Sequence, residues 1–159
     1  MAVSVDPLVV GRVIGDVVDM FVPTVTTSIY YASKHVTNGC HVKPSIAINP
    51  PKVSIDGHPG HLYTLVMTDP DAPSPSEPSM REWVHWKGDT TIHGARPPVG
   101  IHRYIFVLFQ QNGPMGTAVQ PPASRANFNT RLFADHLNLG LPVATVYINA
   151  QKEPISRRR

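Results

Sequence analysis

HRYIFVLFQ, residues His102–Gln110, is apolar from Tyr104 to Phe109, with polar side chains only near its ends. That pattern is a strand buried on both faces, at the centre of a sheet. LYTLVMT (Leu62–Thr68) and VATVYIN (Val143–Asn149) are similar runs and predict neighbouring strands. Val25–Tyr31, rich in β-branched and aromatic residues, Lys52–Asp56 with Val53 and Ile55 alternating, and Trp83–Trp86 complete the set. Only two helices are predicted. One runs from Asp6, as N-cap before Pro7, to about Asp19, despite Gly11 and Gly15. The other covers Phe128–Asn138, capped by Asn127 and stopped by Gly140, with Phe128, Leu132, Phe133 and His136 or Leu137 facing inward. Strands do not alternate with helices, so the expected fold is mostly β, an antiparallel sheet with peripheral α.

The chain has 159 residues, enough for one domain with a hydrophobic core, and its 17 prolines suit strands and loops better than a helical bundle. Of its +3 net charge, all comes from the tail Arg157, Arg158 and Arg159. Without them basic and acidic side chains balance, which argues against a nucleic-acid-binding face. A flexible basic tail is expected from about residue 154 onward. Cys40 is single, so no intrachain disulfide is expected. No apolar run is long enough for a membrane helix, and the start lacks the features of a secretory signal. A cytoplasmic and nuclear monomer is the expectation.

Asp69-Pro70-Asp71-Ala72-Pro73 follows the LYTLVMT strand and places two carboxylates on a stiff, exposed turn. Alone, it reads as turn chemistry. In Trp83-Val84-His85-Trp86, alternation puts His85 and Trp83 on one face. His102 and Tyr104 share a face at the start of the strongest strand. Two Asp, two His and a Tyr at strand ends suit a phosphate-like anion. An imidazole held by a carboxylate turns its other N–H outward and is more readily protonated, so binding should weaken as pH rises. Rival chemistries fit less well. There is no G-x-S-x-G, and Cys40 lies in an apparent loop with only His41 beside it. His58, His61, His85 and His102 match no metal-binding spacing, so no metal and no cofactor is expected.

DPDAPSPSEP (Asp69–Pro78), REWVHW (Arg81–Trp86), RPPVGIHRY (Arg96–Tyr104), PPASRANFNTR (Pro121–Arg131) and LGLPVATVYINAQKEP (Leu139–Pro154) resemble the phosphatidylethanolamine-binding protein family in its plant branch. VDPLVVGRVIGDVVDMF (Val5–Phe21), VTNGC (Val36–Cys40) and NPPKVSI (Asn49–Ile55) resemble its mother-of-flowering-locus-T-like subgroup. The resemblance implies a central antiparallel sheet, a second small sheet and peripheral helices. It implies an anion or phospholipid-head-group pocket at Asp69, Asp71, His85, His102 and Tyr104, with Pro98 at the rim. It also implies a regulator without enzymatic activity that engages 14-3-3 adaptors and bZIP transcription factors in flowering, seed germination, dormancy and abscisic-acid signalling. Asn112, Gly113, Pro114, Met115 and Arg125 fall in the partner-selecting external loop. The alternatives are a serine-protease inhibitor of the kind seen outside plants, a hydrolase or metal enzyme using Asp71 and His85, or a truncated variant with impaired function.

Three departures qualify the resemblance. Trp83 matches neither the florigen-type Tyr nor the terminal-flower-type His, which supports the third subgroup. Gly60 and Pro114 stand where the florigen surface carries adaptor-contacting arginines, which weakens the expected adaptor surface. Relatives have a longer stretch between WVHW and RPPVGIHRY, where this chain has only KGDTTIHGA (Lys87–Ala95). The predicted consequence is a strand that stops early, a more open pocket and an exposed sheet edge.

Overall fold

The computed structural model describes residues 6–87, 97, 99–114 and 124–152. Its elements are α1 (Pro7–Val10), α2 (Val13–Asp16), β1 (Thr26–Tyr31), β2 (Lys34–His35), β3 (Cys40–His41), α3 (Pro44–Ala47), β4 (Lys52–Asp56), β5 (Tyr63–Asp69), β6 (Trp83–Lys87), β7 (Ile101–Gln110), α4 (Thr130–His136) and β8 (Ala144–Gln151). A five-stranded sheet has the order β3-β8-β7-β5-β6, and a three-stranded sheet the order β2-β1-β4. Pairing is antiparallel throughout except between β3 and β8. The doubly apolar run is central, as its pattern requires: β7 pairs with β5 on one side and β8 on the other.

Because side chains alternate along β7, the larger sheet serves two cores. Tyr104, Phe106 and Leu108 join Leu65, Met67 and Ile148, packed with Ile29 and Tyr31 of the smaller sheet. Ile105, Val107 and Phe109 join Val66 and Tyr147 on the opposite face, covered by Leu8, Val13, Val17 and Ala134.

The predicted helix over Asp6–Asp19 is instead two short turns. Asp6 does cap the first, accepting from the Leu8 N–H at 2.9 Å. Arg12 then adopts left-handed backbone (φ 60°) and Gly15 φ 116°, so the chain kinks twice and lays Val13 and Val17 on the sheet. The second helix is also shorter than predicted, and its cap is Asn129, whose side chain accepts from Leu132 N–H at 3.0 Å. Asn127 sits outside it in left-handed backbone and donates to the Ser79 carbonyl. Leu132, expected inside, is exposed, while Ala134 is buried. Cys40 lies in β3 rather than in a loop.

β6 is the edge strand, but residues 125–128 cover its outer side over part of its length. Glu82 N–H donates to Phe128 O, Phe128 N–H to Glu82 O and Val84 N–H to Arg125 O. The outer side of β6 is therefore paired at Val84, while the edge expected from the shortened segment falls beyond the described residues. The shortened segment beyond Lys87, with Pro98, Met115 and the basic tail, lies outside the described residues.

Candidate functional site

Asp69 ends β5 and His102 is the second residue of β7, and the β5–β7 pairing brings them together on the face between the two sheets. His102 Nδ1 lies 2.7 Å from Asp69 Oδ2, and its Nε2 lies 2.7 Å from the Val99 carbonyl oxygen. Both ring nitrogens lie against oxygens, an arrangement that favours the protonated ring. Burial alone would depress the His102 pKa, but the hydrogen bond and charge of Asp69 outweigh it and hold it above its ordinary value. Burial pushes the Asp69 carboxyl upward, against the pull of His102. The outward-facing N–H expected on His102 is instead bonded to the Val99 backbone.

Tyr104 sits beside this pair, with ring centroids 6.4 Å from His102 and 5.1 Å from His85. His85 reaches it because β6 bulges. Trp86 pairs with Met67 and Val84 with Thr68, leaving His85 the extra residue between them. The simple alternation predicted for Trp83–Trp86 is therefore broken at His85, and Trp83 pairs with Asp69. Asp69, His85, His102 and Tyr104 are all buried.

Asp71 goes elsewhere. Its backbone N–H donates to Asp69 Oδ1 at 2.7 Å, but its carboxylate takes the Arg103 guanidinium, Nε at 2.8 Å and Nη2 at 2.7 Å, and the Arg103 backbone N–H at 2.9 Å. Arg103 also bonds Gly11 O and Asp16, and Arg81 lies 3.7 Å from Asp71. Burial alone would raise the Asp71 pKa. The Arg103 hydrogen bonds and charge outweigh that and hold it below its ordinary value. The DPD turn is thus buried rather than exposed, and one of its carboxylates clamps the N-terminal segment to β7.

Arg103, Arg81 and Asp16 were not singled out from sequence. A charged residue inside an otherwise apolar strand was the available signal for Arg103, since period 2 puts it opposite His102 and Tyr104. Glu82 was also missed. It is buried and accepts from Thr68 Oγ1, Thr130 N–H and Thr130 Oγ1, and burial raises its pKa.

The proposed partner surface divides. Gly60, Asn112 and Pro114 are exposed. Arg125 turns inward, its Nη1 donating to the carbonyls of Val84 (3.0 Å) and His85 (2.8 Å), so it braces β6. A separate cleft of about 340 Å³ lies towards the other end of β7, between Val17, Phe109, Ala134 and Leu141, with Arg131 and Asp135 at its rim. Among the described residues no group of three or more His, Cys, Asp or Glu is placed to hold a metal ion, and no helix is long and apolar enough to cross a membrane.

Residues 25–88 match the family model for phosphatidylethanolamine-binding protein. The chain is 53% identical over 174 positions to the MOTHER of FT and TFL1 homolog 2 of Oryza sativa subsp. japonica, covering 100% of both chains. That alignment is longer than the 159-residue chain, so it opens gaps on this chain's side. Similarity to FLOWERING LOCUS T of Arabidopsis thaliana is 45% identity, covering 93% of this chain and 92% of that one. The fold matches the solved carboxypeptidase Y inhibitor, complexed with its cognate proteinase, at a TM-score of 0.80 and 23% identity, over 92% of this chain and 94% of that one. The two-sheet fold and these full-length similarities agree that the chain belongs to the phosphatidylethanolamine-binding protein family, alongside plant members.

Proposed function

We propose that this protein is a non-enzymatic regulatory binding protein of cytoplasm and nucleus, acting in seed germination, dormancy or flowering. In this reading the Asp69–His85–His102–Tyr104 cluster receives a phosphate-like anion or phospholipid head group, and exposed loops such as Asn112–Pro114 meet adaptor and transcription-factor partners. One observation carries the non-catalytic part: Asp69 and His102 satisfy each other, Val99 O occupies the second imidazole nitrogen, and Asp71 is held by Arg103. A general base must be free to take a proton from substrate, and the hydrogen bonds these groups make within the protein support a holding role for them instead. The regulatory part is supported by full-length similarity to plant members, FLOWERING LOCUS T among them. The inhibitor alternative draws on fold likeness alone.

The test is a thermal melt with and without millimolar phosphate or phosphoethanolamine at pH 6 and pH 8. The expected result is a cooperative transition that rises with ligand, more at pH 6. A cooperative melt indifferent to both ligands sinks the anion site and leaves protein partners as the function.

A further inference from the structure

Asparagine precedes glycine at two places, Asn38-Gly39 and Asn112-Gly113. In such a pair the glycine nitrogen can attack the asparagine side-chain amide, because glycine has no Cβ to obstruct the approach. The two pairs are alike in exposure, each asparagine exposed and each glycine half-buried. They differ in what holds them. Gly39 N–H donates to Tyr147 O and Asn38 Oδ1 accepts from Tyr147 N–H, both at 3.0 Å, while Asn149 Nδ2 donates to Gly39 O at 3.1 Å. Attacker and target are thus both fixed to β8. Gly113 N–H, by contrast, meets no acceptor among the described residues. Gln111 Nε2 holds only the Gly113 carbonyl, at 3.2 Å, and Asn112 is tied through its amide nitrogen alone, Nδ2 donating to Asn138 O at 2.6 Å.

We propose that Asn112 is a site of spontaneous deamidation, a covalent modification that turns this loop from neutral to anionic. The Gly113 backbone nitrogen gives up its proton and bonds to Asn112 Cγ. The Cγ–Nδ2 bond breaks, ammonia departs with that proton, and a cyclic imide is left. Water then opens the ring at either carbonyl. One opening restores the peptide bond to Gly113 and leaves Asp, and the other routes the chain through the side chain as isoaspartate. One water is consumed, one ammonia is released and no electrons are transferred. Both products are carboxylates at neutral pH and accept only, so neither can donate to Asn138 O. The bond that ties the loop to the chain just after α4 is then lost, and two acceptors face each other in its place. The inference does not depend on the anion-site reading. It falls on the loop assigned above to protein partners, whose charge then changes with the age of the molecule.

The test is a peptide map of the full chain by mass spectrometry over days at pH 8 and physiological temperature. Isoaspartate is read by fragmentation and by labelling with an isoaspartyl methyltransferase. Asn112 should convert about tenfold or more faster than Asn38, whose glycine nitrogen is freed only by local opening. In concentrated urea the two rates should converge, since neither pair is then held. Gly113→Ala supplies a second arm. A Cβ there meets nothing within 4 Å and the backbone lies outside the left-handed region, so the melt should be unchanged. The added methyl should slow ring closure about tenfold or more. Asn112 persisting intact, equal rates at Asn38 and Asn112 in the folded chain, or an unchanged rate in Gly113→Ala overturns the proposal. Conversion to Asp without isoaspartate overturns it as well, because the imide opens both ways.

Discussion

Asp71 shows how far one residue's role depends on its neighbours. Its side chain is 6% exposed and Arg103 meets it with backbone and guanidinium donors together. Asp71→Asn leaves Asp16 as the only carboxylate on the Arg103 guanidinium, and the loss should fall at or below the about 3–5 kcal/mol of a fully broken buried pair. Urea unfolding at pH 7 should record that loss. The Asp71 pKa is depressed in the fold, so its stabilisation is complete above the unfolded carboxylate's pKa of about 3.9 and disappears as pH falls through the lower folded value. The unaltered protein should therefore lose stability on acidification below about pH 4, and Asp71→Asn should lose less over the same range. The sequence made Asp69, His102 and Tyr104 legible as a group, because strand ends and period 2 determine which side chains can meet. It did not reveal that Asp71 serves a clamp. That depends on Arg103, 32 residues away, and on Asp16 from a segment whose path no local pattern specifies.

Among the elements, strands were far more legible than helices. Lys52–Asp56 coincides with β4, and the long apolar runs fall within a residue or two of β5, β7 and β8. Their period and composition agree with the tertiary environment, so nothing overrides them. The N-terminal helix failed because Gly11 and Gly15 interrupt it and the sheet rewards a kinked path that buries Val13 and Val17. The two-residue strands β2 and β3 are too short to show a period at all. At β6 the edge is managed by a side chain. Arg125→Ala removes the donor to two edge carbonyls. The expected result is a destabilisation of about 1–3 kcal/mol and faster aggregation on warming, followed by light scattering. An unchanged melt and unchanged scattering would show that backbone pairing to residues 125–128 suffices without the guanidinium.

At the scale of the whole molecule, the larger sheet is covered on one face by the smaller sheet and on the other by the N-terminal segment and α4. The N-terminal cover fits closely. A Cβ on Gly11 would collide with the Tyr147 side chain. Gly11→Val should therefore lift the segment from the sheet, costing about 1–3 kcal/mol in denaturation and increasing binding of a hydrophobic dye. The same cover is fastened by Arg103 to Gly11 O and by Arg131 to Gly15 O, contacts separated by 92 and 116 residues of chain. On the ribosome, at about 5–20 residues per second, this segment emerges and then waits on the order of ten seconds for its fastenings to be synthesised. During that interval Leu8, Val13 and Val17 have no sheet to lie on, so the newborn chain presents a greasy segment to whatever chaperone stands at the exit tunnel.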